Sequence, residues 1–149
     1  MKDCFYQYRK GLYQRLSTLT YESVPIPVME YAPDEQNTPY IQILGMSASF
    51  ERDDDRFMQK VTTDIIVVTS HNGPPDDFGS MQSDEIMNDI MELLITKGVT
   101  PADRAKHIVM DDFEDCGCFL LALNYNSDFD GAKITVRKIL TIETSIDEV

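Results

Sequence analysis

One segment of the chain has the residue spacing of a calcium-binding loop. Asn126, Asp128 and Asp130 alternate and Gly131 follows, as in the first half of a loop that ligates Ca²⁺ through alternating carboxylates and turns at a glycine. The twelfth position of such a loop supplies a bidentate glutamate, but here that position is Arg137. A hairpin turn is therefore the favoured interpretation, and no metal is expected.

Nucleophilic catalysis would need a cysteine or serine beside a histidine. The chain has two histidines, His71 and His107, and neither lies in a recognisable catalytic signature. Cys116 follows Glu114 and Asp115, whose negative charge disfavours the reactive thiolate. The glycines are scattered singly, and no spacing of cysteines and histidines fits zinc. We expect no catalytic residue, no metal and no cofactor, and we interpret the three cysteines as free thiols.

The strongest compositional signal is acidity. The net charge of −13 is larger than the magnitude of roughly 2 to 8 that keeps a small domain soluble. Carboxylates cluster in predicted loops and at the carboxyl terminus, where solvation alone would explain them. The alternative is a surface that DNA passes without sticking, because like charges repel phosphates. The candidate residues for that surface are Asp76, Asp77, Asp111, Asp112, Asp128 and Asp130, and further acidic clusters lie at residues 53–55, 111–115 and 143–148.

Length and composition are those of an ordinary globular protein. The 149 residues are enough for one domain, and 42% hydrophobic content supports a core. We find neither a secretory signal nor a run of ~18 apolar residues, so a reducing cytoplasm is the expected place of folding. Basic residues occur as isolated pairs, Arg9 with Lys10 and Arg137 with Lys138, so sequence-specific DNA binding is not expected.

The first elements follow from the apolar periodicity. Residues 3–19 place apolar side chains at steps of three and four, which predicts an amphipathic helix. Residues 23–29 contain Pro25 and Pro27, which remove two backbone donors and favour an extended segment at a sheet edge. Residues 33–39 are predicted to form a loop.

A long β-hairpin follows. Residues 40–50 and 57–70 are strand-like, and the charged residues 51–56 separate them. Residues 65–68 are apolar on both faces, which is typical of a central strand. Arms of this length exceed the usual strand of 5 to 6 residues, so part of the hairpin is expected to project.

The second half of the chain contains a helix and further strands. Residues 71–79 are predicted to be a loop, and Ser80 or Ser83 is expected to cap a helix that continues to Leu94. Strands are predicted at residues 108–113, 119–125 and 133–146, joined by residues 114–117 and 126–131. The predicted fold class is α+β, a mostly antiparallel sheet with two helices packed on one side and a long β-hairpin, in one domain spanning residues 1–149.

This layout and several local sequences resemble the tail terminator, or tail completion, proteins of tailed bacteriophages and related ring-forming proteins of the phage neck. The resemblance covers most of the chain. It rests on the amino-terminal helix, Val24-Pro25-Ile26-Pro27-Val28, Pro39-Tyr40-Ile41, Thr69-Ser70-His71-Asn72-Gly73, the helix at residues 84–94 and the terminal strand at residues 134–146. The charged hairpin tip and an insert at residues 111–118 depart from the family layout.

The resemblance implies a non-enzymatic virion subunit, assembled in the host cytoplasm, that forms a homo-oligomeric ring at the head-tail junction. Its partners would be other neck or tail structural proteins, DNA would pass through without specific binding, and no membrane would be involved. The hairpin tip carries both signs of charge and is the candidate subunit interface. Its residues are Arg52, Asp53, Asp54, Asp55 and Arg56.

Two other functions stay open. An acidic DNA mimic that inhibits a DNA-binding enzyme would share the negative charge, provided that carboxylates lie on one face at phosphate-like spacing. A small-molecule-binding α+β module would need a concave pocket with convergent polar groups.

Overall fold

The computed structural model describes residues 2–34, 36–53, 56–72, 81–96 and 100–149. Helices and strands occur in separate runs along the chain, as expected for an α+β fold. Their bounds are α1 Phe5–Leu16, β1 Thr20–Tyr21, β2 Val24–Pro25, β3 Val28–Met29, β4 Tyr40–Asp53, β5 Arg56–Asn72, α2 Met81–Leu94, α3 Pro101–Arg104, β6 Phe113–Phe129 and β7 Lys133–Glu148.

Five strands form one sheet in the order β3-β4-β5-β7-β6, and β1 pairs with β2 in a separate ribbon. Every neighbouring pair in the large sheet is antiparallel except β3 with β4. The 17 residues of β5, at ~3.3 Å each, extend about 55 Å. The fold class, including the long hairpin of β4 and β5, is thus the predicted one.

Both long helices pack on the same face of the sheet. Tyr8 of α1 shares a hydrogen bond of 2.7 Å between its hydroxyl and Thr144 Oγ1 on β7, and both residues are fully buried. The α2 stripe predicted from the sequence, which includes Ile86, Met87 and Ile90, packs into the same apolar cluster. This covered side contains the core, and the opposite side of the sheet has no helix of the described chain on it.

The hairpin lies within the sheet over most of its length. Strand β5 is central, and its residues Ile66 and Val68, which point away from the helices, are also buried, as the sequence predicted. Pairing of β5 with β7 continues as far as Met58 with Asp147, so only the last two residue pairs of the hairpin extend beyond the neighbouring strand. The projecting part is short because β7 is almost as long as β5.

The strand assignments after residue 100 need correction. Residues 108–110 contribute a single bridge, between Val109 and Glu114, where a strand was predicted. Residues 114–117, predicted to be a connection, lie inside β6, which continues from Phe113 to Phe129. A bulge between Asp115 and Gly117 accommodates the residues that broke the alternation in the sequence.

Two helix boundaries and one strand boundary differ from the predictions. Helix α1 is shorter than residues 3–19, because the turn at Ser17 ends it after Leu16. Ser83 lies inside α2 and is fully buried, so it does not cap the helix, and Ser80 lies outside the described residues. His71 and Asn72, predicted to open a loop, pair with β7 as the end of β5. None of the helices in the described part of the chain is both long and apolar enough to span a membrane.

A glycine inside α1 is explained by close packing. A Cβ at Gly11 would overlap Ile108 Cγ2 and lie 3.0 Å from the carbonyl oxygen of Val109. Glycine in a helix interior is less favourable than alanine by about 1 kcal/mol, so the close approach of the 108–109 segment is what requires it here.

Gly11→Ala is expected to lower the free energy of unfolding by about 1 to 2 kcal/mol. Overpacking costs about 1 to 3 kcal/mol, which exceeds the gain in helix propensity. Urea unfolding followed by circular dichroism measures the change, with Gln14→Ala on the exposed side of α1 as the control. A more stable Gly11→Ala variant would show that the 108–109 segment moves away without cost.

Candidate functional site: the open face of the sheet

The face of the sheet that carries no helix of the described chain presents many polar side chains. We call it the open face. Because side chains alternate along a strand, the register assigns to it the even-numbered residues of β5 and the odd-numbered residues of β7. Across the centre of this face, one row runs through Ser47, Thr62, Glu143 and Phe119. Hydroxyl-bearing and charged side chains are the commonest on the open face.

Carboxylates outnumber cations on the open face. The described strand residues that carry them are Glu51, Asp64, Glu114, Asp128, Glu143 and Asp147, against Lys60, Lys133 and Arg137. Two of the cations are paired there, Lys60 with Glu51 at 2.9 Å and Arg137 with Asp128 at 2.9 Å. Asp64 accepts a hydrogen bond of 2.6 Å from the Thr141 hydroxyl. Carboxylates are therefore in excess over cations among the described strand residues of this face.

The predicted acidic residues lie at the two ends of the sheet. Asp111 and Asp112 form the exposed turn before β6, where the Lys2 ammonium is 3.2 Å from Asp112 Oδ2. Asp128 and Asp130 are at the far end of β6, and 16 residues at ~3.3 Å place them about 50 Å away. One subunit thus does not bring the two pairs together. Asp76 and Asp77 lie outside the described residues.

The residues of the hairpin tip are described only in part. Arg52 pairs with Phe57, and Asp53 with Arg56, as the last two rows of the β4–β5 ladder. Asp54 and Asp55 lie outside the described residues. The tip is at the same end of the sheet as Asp112, because Met58 pairs with Asp147 and Phe113 with Glu148.

Acidic residues of two clusters named in the sequence lie in strands, and a strand was predicted for residues 143–146 of them. Residues 143–148 belong to β7. Asp115 is buried in β6, where Oδ2 accepts from the Ile108 N–H at 2.8 Å and Oδ1 accepts from the Gly117 N–H at 2.8 Å. Asp115 therefore fixes the bulge and the preceding segment, because it supplies acceptors for two backbone donors that have left the regular ladder.

Glu143 and Asp147 are the site residues that sequence reasoning missed. The signal was available as an alternation along β7, where Ile142, Thr144 and Ile146 are buried and the residues between them are mostly polar. A period of two assigns the polar set to one face of a strand. Grouping residues 143–148 as one acidic cluster at the carboxyl terminus does not reveal this division between the two faces.

The turn between β6 and β7 is built by one carboxylate. Asp130 Oδ1 accepts from the N–H groups of Ala132 and Lys133 at 3.0 and 2.8 Å, and these bonds lower the pKa of Asp130. The hairpin turn favoured over a calcium loop is present at residues 130–132, but residues 126–129, predicted to belong to the connection, pair with β7 as the end of β6. Among the residues that the structure describes, no three His, Cys, Asp or Glu side chains are placed to hold a metal ion.

All three cysteines are free thiols. Burial raises the pKa of Cys4 to about 11 and that of Cys118 to about 12. Partial burial also raises the pKa of the exposed Cys116, with Glu114 and Asp147 adding to the shift. Raised pKa values keep the thiols neutral near pH 8, so none is an activated nucleophile.

A chromogenic disulfide reagent at pH 8 is expected to modify one thiol per native chain, slowly, and three per chain in denaturant. The single reactive group should be Cys116, and its rate should rise with pH, since the thiolate forms only as pH approaches the raised pKa. Cys116→Ser should leave no reactive thiol before unfolding. Rapid labelling of two or three thiols in the native protein would contradict the burial of Cys4 and Cys118.

Comparison with known proteins identifies the fold. No protein-family model matches the chain, and no curated protein matches its sequence. A chain in the solved structure described as "Virion of native gene transfer agent (GTA) particle" is similar over 99% of this chain and 99% of its own length, with a TM-score of 0.71 and 12% identity. At that identity the likeness shows a shared fold, and it spans the whole architecture described above.

Proposed function

We propose that the protein is a non-enzymatic structural subunit of a virion that assembles into a ring at the head-tail junction of a tailed phage. The observation that carries the proposal is the likeness of fold, over essentially the whole chain, to a chain from a virion particle. The layout of helices and strands that resembled tail terminator proteins in the sequence supports the same assignment, because the α+β sheet with its long hairpin is present.

The open face is the candidate wall of the channel. A ring with the helices outside and the open face inside would line its lumen with carboxylates from every copy. Such a wall repels DNA phosphates and lets the duplex slide without specific contacts. The terminal pairs Asp111 with Asp112 and Asp128 with Asp130 would then form acidic rims at the two mouths of the channel.

Native mass spectrometry and electron microscopy of the purified protein test the ring. A defined multimer with a central hole is expected, and its population should rise as salt is raised from about 0.05 M to about 0.5 M, because added ions screen repulsion between subunits of charge −13. A protein that stays monomeric at every salt concentration would overturn the proposal.

The hairpin tip is proposed as one contact of the ring. Replacing residues 52–56 with Gly and Ser should shift the multimer towards monomer while leaving the thermal unfolding midpoint of the monomer nearly unchanged, since few rows of the ladder extend beyond β7. An unchanged multimer population would remove the tip from the interface.

A DNA mimic would use the same carboxylates in a different way. In that case a non-specific DNA-binding protein should bind the monomer and be displaced by duplex DNA. A ring subunit should leave the DNA binding of that protein unaffected. Titration of the DNA-binding protein with the purified chain, followed by fluorescence anisotropy of labelled DNA, separates the two functions.

A further inference from the structure

Helix α1 carries a second stripe of side chains besides its buried one. Tyr6, Arg9, Lys10 and Tyr13 follow the three- and four-residue steps of one helix face, and they line a groove of about 390 Å³ together with Met29, Glu30 and Ile43. Tyr6 is 71% exposed and Tyr13 is 49% exposed, although both carry large apolar rings. We call this groove, at the β3–β4 edge of the sheet, the α1 groove.

The α1 groove is cationic on a strongly acidic protein. Its lining contains two basic side chains, Arg9 and Lys10, and one carboxylate, Glu30. Arg9 pairs with Glu30 at 2.9 Å, but Lys10 has no ion pair among the described residues. The Tyr6 and Tyr13 rings and Ile43 make the groove mainly apolar, so it fits a partner surface that is apolar at the same level.

The opposite edge of the sheet has that composition. On the helix-bearing side of β6, the register aligns Leu120, Leu123, Tyr125 and Phe129, which we call the β6 stripe. Leu123 is 42%, Tyr125 55% and Phe129 67% exposed. Contiguous exposed apolar side chains of this kind mark interaction surfaces.

The backbone beside the β6 stripe is also unpaired. At the start of β6, Thr96 covers the outer edge, because its N–H donates to the Cys118 carbonyl at 3.1 Å and its hydroxyl accepts from the Cys118 N–H at 3.1 Å. From Leu120 to Phe129 no described segment pairs with that edge. A long unpaired strand edge with apolar side chains tends to pair with another chain, so we expect this edge to be covered in the assembled protein.

The two surfaces are matched in height as well as in chemistry. One row of the sheet runs from Ile43 through Ile65 and Leu140 to Leu123, so the floor of the α1 groove and the middle of the β6 stripe lie at the same level. Both are on the helix-bearing side. Neither can reach the other within one chain, because they occupy opposite edges of the same sheet.

We propose that the β6 stripe of one copy docks into the α1 groove of the next copy. A contact that joins different surfaces in this way repeats from subunit to subunit and closes when its rotation divides a full turn. Neighbouring copies in the same orientation bring β6 antiparallel to β4, which allows edge-to-edge pairing. The inference rests on the proposed ring and names its subunit contact.

Mixing two complementary variants tests this contact. Lys10→Glu with Tyr13→Ser damages the groove and leaves the stripe intact, whereas Leu123→Ser with Tyr125→Ser damages the stripe and leaves the groove intact. Each variant alone should be monomeric in native mass spectrometry. Mixed, they should form a heterodimer with one copy of each variant and no larger species, because only one groove and one stripe remain functional.

Val24→Ser with Val149→Ser is the control, since both side chains are exposed and apolar but belong to neither surface. It should assemble like the wild type. Circular dichroism checks that every variant is folded. We expect all of them to fold, because the substituted side chains are exposed. If the wild type forms rings and the groove and stripe variants still form them, this contact is wrong while the ring stands. If the wild type is monomeric under all conditions, both proposals fail.

Discussion

The double variant Glu114→Lys with Glu143→Lys is expected to bind linear duplex DNA, which the wild-type chain is expected not to bind. Both residues are on the open face, where the register pairs Glu114 with Asp147 and Glu143 with Phe119. Each reversal replaces a repulsive charge with one that can contact a phosphate and release a counterion. Two phosphate contacts per subunit predict that the affinity falls at least roughly tenfold between about 0.05 M and about 0.2 M salt.

A matched variant separates the open face from net charge alone. Glu85→Lys with Asp89→Lys makes the same change in charge on the exposed side of α2. If the open face lines a closed channel, the strand variant should bind linear DNA but not covalently closed circles, which cannot thread a ring. The helix variant should bind both forms alike. Equal binding of circles and linear DNA by the strand variant would contradict a lumenal open face.

Asp115→Ala is expected to lower the free energy of unfolding by about 3 kcal/mol. The substitution leaves two buried backbone donors, the N–H groups of Ile108 and Gly117, without their acceptors, at about 1 to 3 kcal/mol for each donor. The segment that Asp115 holds also packs against Gly11 through Ile108, so its release loosens the contact between α1 and residues 108–109.

Urea unfolding measures this effect, and two controls define its origin. Asp128→Ala removes an exposed carboxylate from the same strand and should change the stability by less than ~1 kcal/mol. Asp115→Asn keeps one acceptor and should lie between Asp115→Ala and the wild type. An Asp115→Ala protein as stable as the wild type would show that the bulge finds other acceptors.

Local patterns determined much of the architecture. The apolar residues 65–68 predicted a central strand, and β5 is central. The prolines at 25 and 27 predicted an edge segment, and β3 beside them is the edge strand. Apolar patterns with the period of a strand or a helix repeat within a few residues, so they can be recognised before any long-range contact is known. Local patterns gave the wrong assignment around Asp115, because a bulge interrupts the alternation and resembles a turn in the sequence.

The candidate site depended on the tertiary structure. Leu123 and Leu140 are the same residue type in adjacent strands, yet Leu140 is fully buried and Leu123 is 42% exposed. Their exposure differs because β6 is the outermost strand of the sheet, whereas β7 has a neighbour on each side. Strand order results from long-range pairing, which composition does not encode. The excess negative charge was evident from the sequence alone. Which carboxylates share one face was decided by register, since a shift of one residue would move Glu143 and Asp147 to the covered side of the sheet.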